Sequence, residues 1–282
     1  MYLPARKWRK RISQNNGWFR CRDVILDRSL ARVGFKFSEV YVKNIKNLLK
    51  QAIRSAGDDL HRFMPGSNPS LQLVRALNRF EVDLVLDVGA NVGQFASELR
   101  SAGFRGELVS FEPLSAAHRV LSEASRPDAK WTVHPRCAIG DHDSDVEINV
   151  AGNSISSSVL PMMESHSAAA EDSAYVGIEK VSMFKLDSVA SRYMKKSNRS
   201  FLKIDTQGFE WQVLDGALET LPHVQGILCE LSLVPLYDGQ RLWRDLIQRI
   251  EREGFALWFI QQGFVDNRDG RTLQVDAAFF RL

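Results

Sequence analysis

Val85-Leu86-Asp87-Val88-Gly89-Ala90-Asn91-Val92-Gly93-Gln94-Phe95, followed by Ser110-Phe111-Glu112-Pro113, decides the reading of this chain. An apolar run ends in an acid, turns through two glycines and opens a helix. A second short run ends in Glu112, 25 positions after Asp87. This is the pattern of a nucleotide site at the edge of a parallel sheet. Gly89 and Gly93 let the backbone pass where a side chain would collide with a ligand. Glu112 stands where a βαβ unit offers a carboxylate to ribose hydroxyls.

The spacing separates cofactor classes. A dinucleotide fingerprint needs G-x-G-x-x-G, and Asn91 holds the middle position. No G-K-[ST] follows, which excludes a P-loop. An acid followed by G-x-x-x-G suits S-adenosylmethionine, which has no pyrophosphate to seat on a helix N-terminus. Asp87 then faces the cationic end of that cofactor, or merely caps the turn. Asn91 donates from its amide or caps the helix. Further on, Cys137-Ala138-Ile139-Gly140-Asp141 puts Ile139 against an adenine ring. Asp141 receives the exocyclic amine or is a turn residue.

Working outward, helical spacing predicts a helix over 71–80, and strands follow at 84–88, 107–111 and 131–134, with helices at 91–102 and 114–124 between them. The alternation then breaks. Strands at 146–150 and 180–186 flank a serine-rich loop reaching Ala174, and a helix follows over 187–194. Regular order resumes with strands at 201–205 and 226–231, helices at 208–221 and 242–253, and strands at 256–260 and 274–281. The last two lack an intervening helix and so form an antiparallel edge pair. A mostly parallel seven-stranded sheet with that terminal strand, helices on both faces, is the class I methyltransferase arrangement, an α/β Rossmann-like fold.

The 282 residues carry a formal net charge of +3, unevenly spread. Residues 1–62 hold +10 and the rest −7. We therefore expect a basic, partly helical extension over 1–66, ending at Met64-Pro65-Gly66-Ser67-Asn68-Pro69, and a methyltransferase domain over 67–282. Arg6-Lys7-Trp8-Arg9-Lys10-Arg11 and Trp18-Phe19-Arg20 mix cations with aromatics, which suits an anionic membrane surface or nucleic acid. A solvated extension packed on the domain or another subunit is the plainer reading. The N-terminus lacks an apolar signal core, and no apolar run reaches the roughly 20 residues of a membrane span. Cys21, Cys137 and Cys229 are widely spaced, so we expect reduced thiols, no zinc and a cytoplasmic protein, peripheral at most to the inner membrane face.

A second constellation is Phe201-Leu202-Lys203-Ile204-Asp205-Thr206-Gln207-Gly208-Phe209-Glu210. Lys203 interrupts an apolar strand, which is costly unless its ammonium is paired or reaches water. Asp205 ends that strand, where open α/β sheets bind ligands, and Glu210 enters the next helix. Glu230 ends the neighbouring strand, bringing two carboxylates to one lip. They share a divalent ion such as magnesium, or bind acceptor hydroxyls directly with one as general base. A Glu230–Lys203 ion pair is the architectural alternative. His166 is the best-placed histidine for a lid, or meets solvent. Trp211, Trp243 and Trp258 suit core packing.

These motifs together, Asp87–Gly93, Phe111-Glu112-Pro113 and Leu202–Glu210, resemble the FkbM family of S-adenosylmethionine-dependent O-methyltransferases over roughly 71–282. The family form K-I-D-x-E-G-x-E has Gln207 here in place of its first acid, which weakens a metal reading. The chain is most similar to actinobacterial members, some of which methylate sugar hydroxyls of cell-wall glycolipids. The resemblance implies O-methyl transfer to a sugar of a glycolipid or secondary metabolite, with Asp205, Lys203 and Glu230 catalytic. Asp87, Gly89, Asn91, Gly93, Glu112, Ile139 and Asp141 are expected to hold the cofactor. The alternatives are a nucleic-acid methyltransferase using the basic arm, for which no N-P-P-Y-type tetrapeptide is present, and a non-catalytic cofactor-binding protein.

Overall fold

The computed structural model describes residues 64–196 and 198–282, with five further helical positions between 47 and 55. Arg62–Leu282 forms one compact unit. Most of the expected basic extension lies outside the described residues, including Arg6–Arg11, Trp18–Arg20 and Cys21.

Seven strands form the main sheet: β1 (Leu84–Val88), β2 (Glu107–Phe111), β3 (Trp131–Val133), β7 (Ser200–Ile204), β8 (Val224–Ser232), β9 (Ala256–Gln262) and β10 (Gln274–Phe280). Their order is β3-β2-β1-β7-β8-β10-β9. Strand β10 runs antiparallel to both its neighbours, and the pairs among β3, β2, β1, β7 and β8 are parallel. Strands β1 and β7 are buried at every position because helices cover both faces.

Side-chain alternation assigns the two faces. Leu84, Leu86, Val88, Leu202, Ile204, Ile227 and Cys229 pack with helices α6 (Glu210–Asp215) and α7 (Trp243–Arg252). Val85, Phe201, Leu228 and Ala278 face α1 (Pro69–Arg79) and α2 (Gln94–Ala102). Asp87 and Lys203 share the parity of this second face and sit in register across β1 and β7. Two charged residues therefore stand together at the upper end of an apolar layer.

The segment where the alternation breaks makes a sheet of its own. Strands β4 (Ala138–Gly140), β5 (Ser144–Ala151) and β6 (Tyr175–Lys185) pair in the order β4-β6-β5. Strand β4 is only three residues long, too short to carry a period-2 signal, and the sequence reading missed it. The serine-rich loop between β5 and β6 also contains α4 (Glu164–Ala169) and a 3-10 turn at Glu171–Ser173. Helix α3 (Ser115–Ser125) and α5 (Leu186–Ala190) complete the order.

Some helices are shorter than the periodicity predicts. Helix α2 begins at Gln94 because Gly93 is left-handed, φ +93°. The helix expected over 208–221 is α6 alone, ending at Gly216, with a separate 3-10 turn at Leu221–His223. Gly216 seats the small sheet, since a Cβ there would lie 1.8 Å from the Gly140 carbonyl oxygen. Among the described residues no helix is long and apolar enough to cross a membrane.

Gly216→Ala must push β4 away from α6. We expect it to lower unfolding stability by about 3 kcal/mol, read as an earlier urea midpoint with unchanged slope. A wild-type midpoint would show that this contact yields freely.

Candidate active site

The turn after β1 is built mainly for internal packing. The Gly89 and Ala90 amides both donate to the Phe111 carbonyl at 3.1 Å. Gly89 has φ +78°, and a Cβ on it would lie 1.8 Å from the Asp205 carbonyl oxygen, so glycine lets β1 and β7 close at their tips. Gly93 serves another contact, since a Cβ there would meet the Trp131 ring at 2.8 Å. Asn91, at φ +47°, turns its Oδ1 to accept from the Val92 amide at 2.8 Å.

Asp87 is fully buried. Its Oδ2 accepts from Ser110 Oγ at 3.1 Å, and its Oδ1 faces Lys203 Nζ at 3.2 Å. Lys203 Nζ also donates to the Gly89 carbonyl at 2.8 Å and lies 3.4 Å from Asp205 Oδ2. Burial alone would lower the lysine pKa, but the Asp87 and Asp205 carboxylates outweigh it and hold the ammonium above its ordinary value. Lys203 therefore pairs with Asp87 and Asp205, and the alternative of a Glu230–Lys203 pair is corrected.

Two further acids organise backbone. Glu112, 4% exposed, accepts the Asn91 amide on Oε2 at 2.7 Å and the Leu114 amide on Oε1 at 2.8 Å. Burial pushes its pKa up to about 7. Glu210 does the same after β7: its Oε1 accepts the Thr206 and Gly208 amides, each at 3.0 Å, and burial raises it to about 7 as well.

Asp205 and Glu230 do meet at one lip, joined by the residue between them in this network. Gln207 Nε2 donates to Asp205 Oδ1 at 2.9 Å and to Glu230 Oε2 at 2.7 Å. The buried Tyr237 hydroxyl lies 2.9 Å from Gln207 Oε1, which fixes the amide's orientation. Gln274 Nε2 gives Glu230 Oε2 a second bond at 2.7 Å. Burial, then the charges of Asp205 and Asp276, pushes the Glu230 carboxyl well above its ordinary range. An amide donor thus sits where a shared cation would bridge the two acids. Among the described residues no group of three or more His, Cys, Asp or Glu could hold a metal ion.

A cleft opens between these turns. Gly89, Asn91, Glu112 and Ile139 line it, together with Asp205, Thr206, Gln207 and Phe209 and with residues 154, 155 and 157–159. Asp87, Gly93, Lys203 and Glu230 stand behind this lining. Asp141 is away from it, its Oδ1 2.6 Å from His142 Nδ1. The charged lining residues are Glu112 and Asp205, both acids. An apolar wall, an acid for a diol and no cation for a pyrophosphate fit an adenosine cofactor such as S-adenosylmethionine.

The sequence reading missed Asp276, Gln274, Tyr237 and residues 154–159. Asp276 lies opposite Glu230 in register, and burial with the Asp205 charge lifts it to about 6. Its signal was the one that marked Lys203, a charge inside an apolar strand. The other residues carry no local signal. His166 is buried, not solvated. Its ring packs by Tyr237 and Phe264, Nε2 is 3.0 Å from Ser156 Oγ, and Nδ1 has no hydrogen-bond partner among the described residues. Burial lowers its pKa to about 4.

Two outcomes follow from this electrostatics. Lys203→Met leaves Asp87 buried without its countercharge, costing about 3–5 kcal/mol in urea titrations. Adding Asp87→Asn should recover part of that loss; no loss would mean the pair is not structural. The His166 ring resists a proton in the folded state that the unfolded chain accepts below about 6.5. That stability is present above pH 6.5 and is lost as pH falls toward 4, by about 3 kcal/mol at most. His166→Phe should flatten this part of the stability–pH curve, and an unchanged curve would contradict the assignment.

A family model described as the methyltransferase FkbM domain matches residues 87–257. No curated protein matches the chain. Among solved structures, a TehB-like SAM-dependent methyltransferase from Corynebacterium glutamicum is similar at 11% identity and TM-score 0.37, over 87% of this chain and 100% of that one. Aeropyrum pernix fibrillarin, in complex with natively bound S-adenosyl-L-methionine, is similar at 8% identity and TM-score 0.40, over 70% and 66%. The family model spans more than half of the chain, from the acid of the first turn to β9, and the chain belongs to the FkbM family of S-adenosylmethionine-dependent methyltransferases.

Proposed function

We propose that this methyltransferase acts on a hydroxyl of a sugar, in a glycolipid or secondary metabolite. The observation that carries the reading is the charge of the cleft. Among the described residues its charged lining residues are both acids, and neither lysine nor arginine lines it. A polyanion such as nucleic acid would meet repulsion there, whereas nucleic-acid sites are strongly basic. Carboxylates and amides suit neutral hydroxyls, each of which can donate to an acid and accept from an amide.

When bound, S-adenosylmethionine supplies an activated methyl group on a sulfonium centre. The protein's task is to aim the acceptor oxygen and take its proton. In this reading Asp205 is the base, one-third exposed in its side chain at the cleft. Lys203 keeps it oriented from behind. Glu230, tied to it through Gln207, orients the acceptor. Glu112 takes the ribose diol, Ile139 the adenine ring, and Asn91 and Gly89 shape the floor. Asp87 acts through Lys203 and Gly89. We place this domain at 67–282, with the basic segment 1–62 bringing it to an anionic membrane surface on the cytoplasmic side.

Mass spectrometry of glycolipids from a strain lacking the protein tests the acceptor. A lost 14-dalton increment on a sugar is expected; an unchanged profile with undermethylated RNA would overturn the reading. In the purified enzyme, Asp205→Asn should cut turnover about 10²–10⁴-fold while S-adenosylmethionine affinity stays at the wild-type value. Glu112→Ala should weaken that affinity about tenfold. Unaltered calorimetric binding would remove Glu112 from the site.

A further inference from the structure

Four non-glycine residues among those described have a left-handed backbone: Glu81, Asn91, Ser154 and Gln207. The last three line the same cleft. Such conformations cost of order 1 kcal/mol each and gather where a chain clamps a ligand. Asn91 and Gln207 belong to the two turns at the tips of β1 and β7. Ser154 belongs to the loop between β5 and β6, far from both in sequence.

That loop is strapped across the cleft at both ends. Asn91 Nδ2 donates to Ser154 Oγ at 3.3 Å, and Ser158 Oγ donates to the Gln207 carbonyl at 2.7 Å. Between these anchors the Tyr237 hydroxyl oxygen lies 3.0 Å from the Ser156 carbonyl oxygen. Ile155 stands within this span. It lines the cleft yet is 57% exposed, whereas the lining isoleucines Ile139, at 4%, and Ile148, at 3%, are buried. A backbone bent at a cost and pinned on both sides thus holds an isoleucine at the cleft with its apolar surface in water.

We propose that Ile155 is a cofactor-contacting residue whose side chain covers the adenosine part of S-adenosylmethionine, completing the apolar wall that Ile139 begins. Its exposed surface is then removed from water when the cofactor binds, and the small sheet supplies part of the methyl donor's site. The inference rests on the family's methyl donor and on the adenine position assigned to Ile139. It does not depend on the sugar acceptor, so it can fail or hold independently of that assignment.

Titration calorimetry of the full chain with S-adenosylmethionine and with S-adenosylhomocysteine tests it. Ile155→Ser should raise both dissociation constants about tenfold, through lost apolar burial, and stopped-flow should place the change in faster dissociation. Ile155→Val, which keeps most of the apolar face, should stay near wild type. Because Ile155 is exposed, thermal unfolding of the free variants should be unchanged, which separates contact from folding. Wild-type affinity in Ile155→Ser would overturn the proposal. A loss confined to S-adenosylmethionine would overturn it equally, because the adenosine part is common to both ligands.

Discussion

The buried ammonium of Lys203 holds the tips of two central strands together. It bonds the Gly89 carbonyl and faces carboxylates from β1 and β7. A charge this deep is tolerated because Asp87 and Asp205 compensate it and the Gly89 carbonyl accepts a further N–H bond. The result is a tight junction between the turns that follow β1 and β7. Its countercharge is also nearly spent on Asp87 and Asp205. Glu230 and Asp276 therefore feel burial and each other's neighbours with little relief, and both carboxyls are lifted.

Around this junction the chain repeats one device. After β2, Glu112 brackets the Asn91 and Leu114 amides. After β7, Glu210 brackets the Thr206 and Gly208 amides. Each acid replaces water for amides that a tight turn leaves without carbonyl partners. Each bracketed turn contains a left-handed non-glycine residue, Asn91 or Gln207. These acids keep the cleft open and shaped, while Gln207 spends its amide on tying Asp205 to Glu230.

The main sheet was legible because buried parallel strands read as apolar runs and the terminal pair lacks a helix between its strands. The meeting of Asp205 and Glu230 at one lip was legible because they stand at the same end of neighbouring parallel strands. The small sheet was not, since β4 is three residues long and pairs with β6, distant in sequence. Gly93 and Asp87 stood out in the sequence, but their contacts in the fold, Gly93 with Trp131 and Asp87 with Lys203 and Ser110, could not be read there. Such contacts come from packing between distant segments, which spacing does not encode. Asp276 was missed although it breaks an apolar strand just as Lys203 does.

We propose that the methyl donor lies in the cleft between the Glu112 and Asp205 turns. A crystal structure with S-adenosylhomocysteine is the decisive test. The ribose hydroxyls are expected on Glu112, the adenine ring between Ile139 and Ile155, and the sulfur directed toward Asp205. A ligand seated elsewhere, or one whose ribose contacts avoid Glu112, would contradict it.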